Sequence, residues 1–117
     1  AAEVAADADD QAKAFVGMGL VHSKLATRAA RRKRSSTARA ERSQAIQFFR
    51  QAIEADSTND TAYLNLGNSL YEMDRYSEAI NALRRAEQLD ARDYRAPLKM
   101  ADAYLHLESW QNAVDNR

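Results

Sequence analysis

The stretch YLNLGNSLYEMDRYSEAINALRRAEQLD, Tyr63–Asp90, decides the fold. Two amphipathic segments flank the short polar break DRY. TAYLNLGNSLYEM reads as a helix with Asn59 or Asp60 as its N-cap, and EAINALRRAEQLD as a second helix capped by Ser77. Gly67 and Ala79 are small where the two helices of a hairpin would approach closely. Tyr63, Leu66, Leu70, Leu83 and Ala86 would fill the space between helices and against the next hairpin. The same pattern returns one period later, in Leu66/Met100, Gly67/Ala101, Leu70/Tyr104, Tyr76/Trp110 and Ala79/Ala113. It also runs backwards, in Ala45/Ala79, Ile46/Ile80, Phe49/Leu83, Ala52/Ala86 and Asp56/Asp90. One hairpin cannot bury both its faces, so a fixed period of about 34 residues predicts hairpins stacked side by side.

Composition agrees. Of 117 residues, 45% are apolar, enough for a core, and one proline and three glycines leave long stretches free to be helical. Alternating β-branched runs are absent, so the expected fold class is all-α. Without cysteine there is neither a disulfide nor a thiolate metal site. No apolar run approaches the ~20 residues of a membrane span. No signal peptide is visible and a cytoplasmic location is expected, although RRKR at 31–34 resembles a nuclear-localisation patch. The chain begins at Ala1 rather than Met, which suggests a processed or trimmed end.

The net charge of zero hides an uneven distribution. Residues 1–10 hold four acids. Residues 11–43 hold nine Lys or Arg against Glu41 alone, and residues 44–117 hold eight bases against twelve acids. Only the basic block, Arg28–Arg42, offers a field for polyanions.

Outward from the central hairpin, residues 1–10 read as an acidic lead-in. A helix is expected from about Gln11 to Ala30, with Ala14, Met18, Val21 and Leu25 as its apolar face. Ser35, Ser36 and Thr37 compete with a helical backbone and mark an expected turn in the basic block, which would be a solvated helical extension or a loop. Ser43 would cap SQAIQFFRQAIEAD, with Ala45, Phe49, Ala52 and Ile53 inward. Downstream, YRAPLKMADAYLHL reads as a helix that tolerates Pro97 early. ESW would turn the chain, and QNAVDNR would begin another helix.

The block Asp60–Asp93 resembles a whole tetratricopeptide repeat, on Tyr63, Leu66, Gly67, Leu70, Tyr76, Ala79, Leu83 and Ala86. Asp74 stands in place of the family's usual turn glycine, and Ala91 in place of its proline. Residues 94–117 resemble the first two-thirds of a further repeat, on Met100, Ala101, Tyr104, Trp110 and Ala113. Upstream, Ala45, Phe49 and Ala52 match a second helix, and Phe15, Met18 and Gly19 align with Tyr63, Leu66 and Gly67. Gly19 and Ala45 stand more than twice as far apart in sequence as Gly67 and Ala79. Residues 11–59 would therefore form a first hairpin with an insertion of about 14 residues, or about four helical turns, near 28–42. The resemblance implies a right-handed solenoid of helical hairpins over 11–117.

It also implies a function. The first helices of such repeats line a concave groove for an extended peptide or a partner helix. Groove positions are Thr61, Leu64, Asn65, Asn68, Tyr71 and Glu72 in the full repeat, and Arg95, Leu98, Lys99, Asp102, Leu105 and His106 in the next. One branch of the family clamps a peptide's terminal carboxylate. Asn65, Arg95 and Lys99 match three clamp positions, whereas Val16 and Leu20 occupy two others and cannot donate.

The basic patch, Arg28, Arg31, Arg32, Lys33, Arg34, Arg39 and Arg42, is read first as a solvated extension and next as a dock for an acidic protein. Nucleic acid or anionic membrane is the rival, with no aromatic in the block to stack on a base. RKRSS also fits a basophilic kinase, with Ser35 or Ser36 accepting phosphate. An uncovered C-terminal face would permit self-association. His22 and His106 are isolated, and no metal-ligand spacing, nucleophile elbow or phosphate loop occurs, so neither enzyme activity nor a cofactor is expected. The reading is a scaffold or adaptor. Its second rival is a non-catalytic, substrate-recruiting arm of a larger enzyme.

Overall fold

The computed structural model describes residues 2–115, with the side chains of 7–111 placed. It consists of five helices: α1 (Ala2–Arg31), α2 (Ser35–Ala55), α3 (Asp60–Glu72), α4 (Tyr76–Leu89) and α5 (Arg95–Asp115). No strand occurs among the described residues. α1 pairs with α2 and α3 with α4, α3 packs back on α2, and α5 packs on α4. The radius of gyration is 15.5 Å and the extents are 58 × 32 × 20 Å. A compact chain of this length would have a radius of about 13 Å, so the molecule is drawn out by stacking and by the long first hairpin.

Two close approaches build the hairpins. A methyl group at Gly67 would come within 2.5 Å of Leu83 Cγ and 3.3 Å of the Ala79 carbonyl oxygen. One at Gly19 would come within 2.7 Å of Phe49 Cδ1 and 2.8 Å of Cζ. Phe49 and Leu83 stand one period apart, so both hairpins use one device: a missing side chain on the first helix receives a fully buried one from the second. A continuous core joins Ala12, Val16, Ala45, Phe49, Leu64, Leu66, Leu70, Ala79, Leu83, Ala86, Ala96, Met100 and Ala103.

α1 and α3 end alike. Lys33 (φ 59°) and Asp74 (φ 62°) adopt the left-handed conformation. Arg34 N–H donates to Ala29 O at 2.8 Å and Lys33 N–H to Ala30 O at 3.0 Å. Arg75 N–H donates to Leu70 O at 2.9 Å and Asp74 N–H to Tyr71 O at 3.0 Å. These are paired Schellman closures, which satisfy carbonyls at a helix end. Asp74 thus does the work of the turn glycine it replaces, since Asp visits this conformation more readily than most residues, and Lys33 does the same in the basic turn.

Several boundaries differ from expectation. α1 starts at Ala2 rather than near Gln11, since the alanine-rich acidic lead-in is itself a good helix former. The turn in the basic block falls at Arg32–Arg34, and Ser35, Ser36 and Thr37 open α2. Ser43 lies in the middle of α2 and caps nothing, because Ala38 is buried upstream of it and prolongs the helix. Arg75, not Ser77, precedes α4; its fork holds Glu78 in the first turn at 2.6 and 2.8 Å. Asn59 does cap α3, accepting from Ala62 N–H at 3.0 Å. ESW makes no turn, and α5 is continuous through it. The position equivalent to Asp74 is Glu108, which takes the left-handed conformation poorly.

The face of α1 is also corrected. Met18, Val21 and Leu25 are exposed, whereas Ala12, Val16, Gly19, Ala26 and Ala29 are buried. Close pairing with α2 selects the small residues and turns the larger ones outward. Tyr104 is likewise half exposed, and its hydroxyl accepts from Arg84 Nη2 at 2.7 Å. The side chain of Ala113 lies outside those described.

Candidate peptide groove and the basic arm

α1 touches α3 and α3 touches α5. Among the described residues no Cα of α2 lies within 8 Å of one on α4, and Arg50 Nη2 reaches across to Glu78 Oε1 at 3.9 Å. The helices are thus gathered on the side of α1, α3 and α5 and spread on the other, which makes the first-helix row concave.

Along this row Thr61 and Glu72 are exposed, and Asn65, Asn68 and Tyr71 are half-buried. Arg95, Leu98, Asp102, Leu105 and His106 are exposed on α5, with Lys99 half-buried. Leu64 is the exception: at 4% exposure it belongs to the core. α3 is flanked by both neighbouring hairpins, and a leucine there is covered rather than offered to a ligand.

The junction of α3 and α5 is filled by its own side chains. The His106 ring stacks on Tyr76 at 4.7 Å, Tyr71 meets both edge-on at 5.4 and 5.6 Å, and Lys99 Nζ sits 4.6 Å over the Tyr71 ring. Tyr76 OH donates to Asp74 Oδ1 at 2.8 Å; that bond, aided by burial, pushes the Tyr76 phenol up to about 12. Burial likewise raises Tyr71. Arg95 is bound through Nε and Nη2 to the Asp93 carboxylate at 2.9 and 2.7 Å, which lowers Asp93 and raises Arg95. Asn65 Nδ2 donates to Thr61 O at 2.9 Å. All three side chains that match the carboxylate clamp are engaged within the molecule.

The junction of α1 and α3 is open. A cleft of about 530 Å³ lies there, bordered by Thr27 and Arg31 of α1, Arg42 of α2, and Asn65, Asn68 and Glu72 of α3. It lies where α1 extends past α3. From Gly67 to the end of α3 is five residues, and from Gly19 to the end of α1 is twelve, so α1 overhangs by seven residues, about 10 Å.

The overhang is an ordered arm. Ala26, Ala29 and Ala38 are buried between its two helices. His22 Nδ1 lies 2.6 Å from Glu41 Oε2, and the His22 ring stacks on Phe48 at 5.4 Å. Arg28, Arg31, Arg32, Lys33, Arg34 and Arg39 are all exposed on it, and Arg42 is half-buried. No sequence signal tells which of these cations turn towards the groove, since that depends on where the turn falls.

The sequence profile of the tetratricopeptide repeat matches residues 38–87, the span from α2 through α4. Over that span the chain is similar to tetratricopeptide repeats. Among similar solved structures is an Arabidopsis OM64 TPR domain, 19% identical, with a TM-score of 0.53 over 79% of this chain and 98% of that one. At that identity the likeness concerns the fold. No curated protein matches the sequence. Repeats of this family are in general protein–protein interaction modules, typically without catalysis. Among the described residues no group of His, Cys, Asp or Glu is placed to hold a metal, and no helix is long and apolar enough to cross a membrane.

Proposed function

We propose that this chain is a scaffold or adaptor module that holds an extended peptide or a partner helix along the concave row of α1, α3 and α5. The observation that carries this reading is the gathering of the first helices into one surface, with an open cleft at the α1–α3 junction. Segments that dock in such grooves bind through side chains reaching between helices, so polar donors at the cleft set specificity.

Site-specific photo-crosslinking tests it. A photoreactive residue at Asn68, on the concave row, should capture the partner, whereas one at Gln47, exposed on α2, should not. Capture from Gln47 with none from Asn68 would overturn the reading.

A second reading rests on the arm, whose exposed cations surround a rigid turn: an anionic partner could bind the tip alone, with the repeats as a platform. Capture from Arg34 and not from Asn68 would favour it. Binding that collapses with added salt would indicate nucleic acid, since each neutralised phosphate releases counterions.

A further inference from the structure

We propose that the α1–α3 cleft is a receptor for side-chain carboxylates within an acidic segment of a partner protein. The inference rests on the groove reading and names the chemistry of the ligand.

Arg31 comes from the last turn of α1 and Arg42 from the second helix of the same hairpin, yet both border one cleft with Asn65 and Asn68. Among the described residues, neither arginine has an ion-pair or side-chain hydrogen-bond partner. In the later hairpins Arg75 is bound to Glu78, Arg95 to Asp93, Arg84 to Tyr104 and Arg85 to Gln88, whereas Arg28, Arg32, Arg34 and Arg39 of the arm are, like these two, without a side-chain partner among the described residues. Arg42 is moreover half-buried, and its side chain has no acceptor among the described residues. A planar fork with amide donors beside it suits a carboxylate, which takes two parallel N–H bonds.

Glu72 stands on the rim and opposes an anion, but two guanidiniums against one carboxylate leave the border positive. Arg32, Lys33 and Arg34 follow directly at the turn. At physiological ionic strength their field reaches about 8 Å, far enough to draw in an acidic segment. No aromatic borders the cleft, so a single-stranded nucleic acid would find no stacking surface. Of the clamp-like side chains the cleft shares only Asn65, whose amide already donates to Thr61 O, and it needs no peptide terminus. An internal pair of Asp or Glu residues suffices.

The test uses the whole chain and fluorescence anisotropy with three labelled probes. These are a terminally blocked ten-residue peptide rich in Glu and Asp, its Gln/Asn counterpart, and an oligothymidylate of equal formal charge. The acidic peptide should bind tightest. The double variant Arg31→Gln/Arg42→Gln should weaken it by about tenfold or more, the scale of a lost charge-assisted bond. Asn68→Asp, which leaves both arginines in place, should weaken it similarly, so the result does not hang on one variant folding.

The proposal is overturned if the oligonucleotide binds tightest. It is equally overturned if the acidic peptide ignores both variants, or if its nuclear magnetic resonance shifts are confined to Arg32–Arg34. A partner captured from Asn68 that is indifferent to Arg31→Gln/Arg42→Gln would sink this inference alone and leave the groove standing. Capture from Gln47 and not Asn68 would remove the groove as well.

Discussion

Three glycines of one chain give a direct measure of helix pairing. Gly17 and Gly19 lie on the same helix, two residues apart and on opposite sides. A methyl group at Gly17 meets nothing within 4 Å. Gly17→Ala should therefore gain the propensity difference of a helix interior, about 1 kcal/mol. Gly19→Ala makes the same gain, but its methyl group runs into the face of Phe49, which is 0% exposed and hemmed in on all sides. Overpacking of a close core costs about 1–3 kcal/mol. Because the propensity gain is common to both variants, their difference isolates the steric cost, and Gly19→Ala should be less stable than Gly17→Ala by about 1–3 kcal/mol. Gly67→Ala should fall on the same side as Gly19→Ala. Its obstacle is the branch carbon of Leu83 at 2.5 Å, which cannot swing away as a chain end can. Urea unfolding followed by circular dichroism reads all three, with unchanged m-values as the check that the unfolded states are alike. If Gly19→Ala matches Gly17→Ala in stability, α1 does not lie against Phe49, and the pairing of the first hairpin is wrong.

Two further outcomes follow from single contacts. Lys33→Gly should stabilise the chain by about 1 kcal/mol in thermal or urea unfolding, because a left-handed non-glycine residue costs about 1–2 kcal/mol and the glycine returns part of that as chain entropy; a loss of stability would mean that the Lys33 side chain matters more than its backbone. The Asp74 hydrogen bond holds the proton on Tyr76, so the folded phenol titrates at about 12, above its ordinary 10. The stability it contributes is full below pH 10 and lost between pH 10 and about 12, and Tyr76→Phe should flatten the fall of melting temperature across that window. An unchanged alkaline slope would count against the bond.

Much of this architecture can be read without coordinates, and the reason is local. Gly67, Ala79 and Leu83 form a contact whose members sit on adjacent helices joined by a short turn, so their spacing in sequence fixes their meeting in space. Asn59 as a cap, and the alignment of Gly19 with Gly67, are legible for the same reason. Ser43 and Ser77 mislead because capping preference competes with whatever extends the helix. At Ser43 the buried Ala38 wins, and at Ser77 the Schellman closure of Asp74 restarts the chain one residue after it ends. On α1 two apolar stripes are available on opposite sides, Ala14–Met18–Val21–Leu25 and Ala12–Val16–Gly19–Ala26. Hydrophobicity favours the first, and the packed helix uses the second, because the distance between paired helices is set by the smallest residues at the seam.

The candidate site was less legible than the fold, and the insertion explains why. Groove positions carried over from one repeat to the next assume that each first helix has the same length. α1 does not: its last seven residues pass beyond the end of α3, so the border of the α1–α3 cleft includes Arg31 and Arg42, which no regular repeat position anticipates. The basic block looks in the sequence like a solvated tract detached from the repeats. The buried alanines at 26, 29 and 38 instead hold it as a stiff hairpin, and stiffness is what turns a diffuse positive charge into a placed one. An Arg on a mobile loop would lose side-chain and backbone entropy on meeting a carboxylate, whereas Arg42, on a helix two turns before Phe49 anchors it, loses only its own rotamers. The insertion is therefore better understood as part of the groove wall than as an appendage to it.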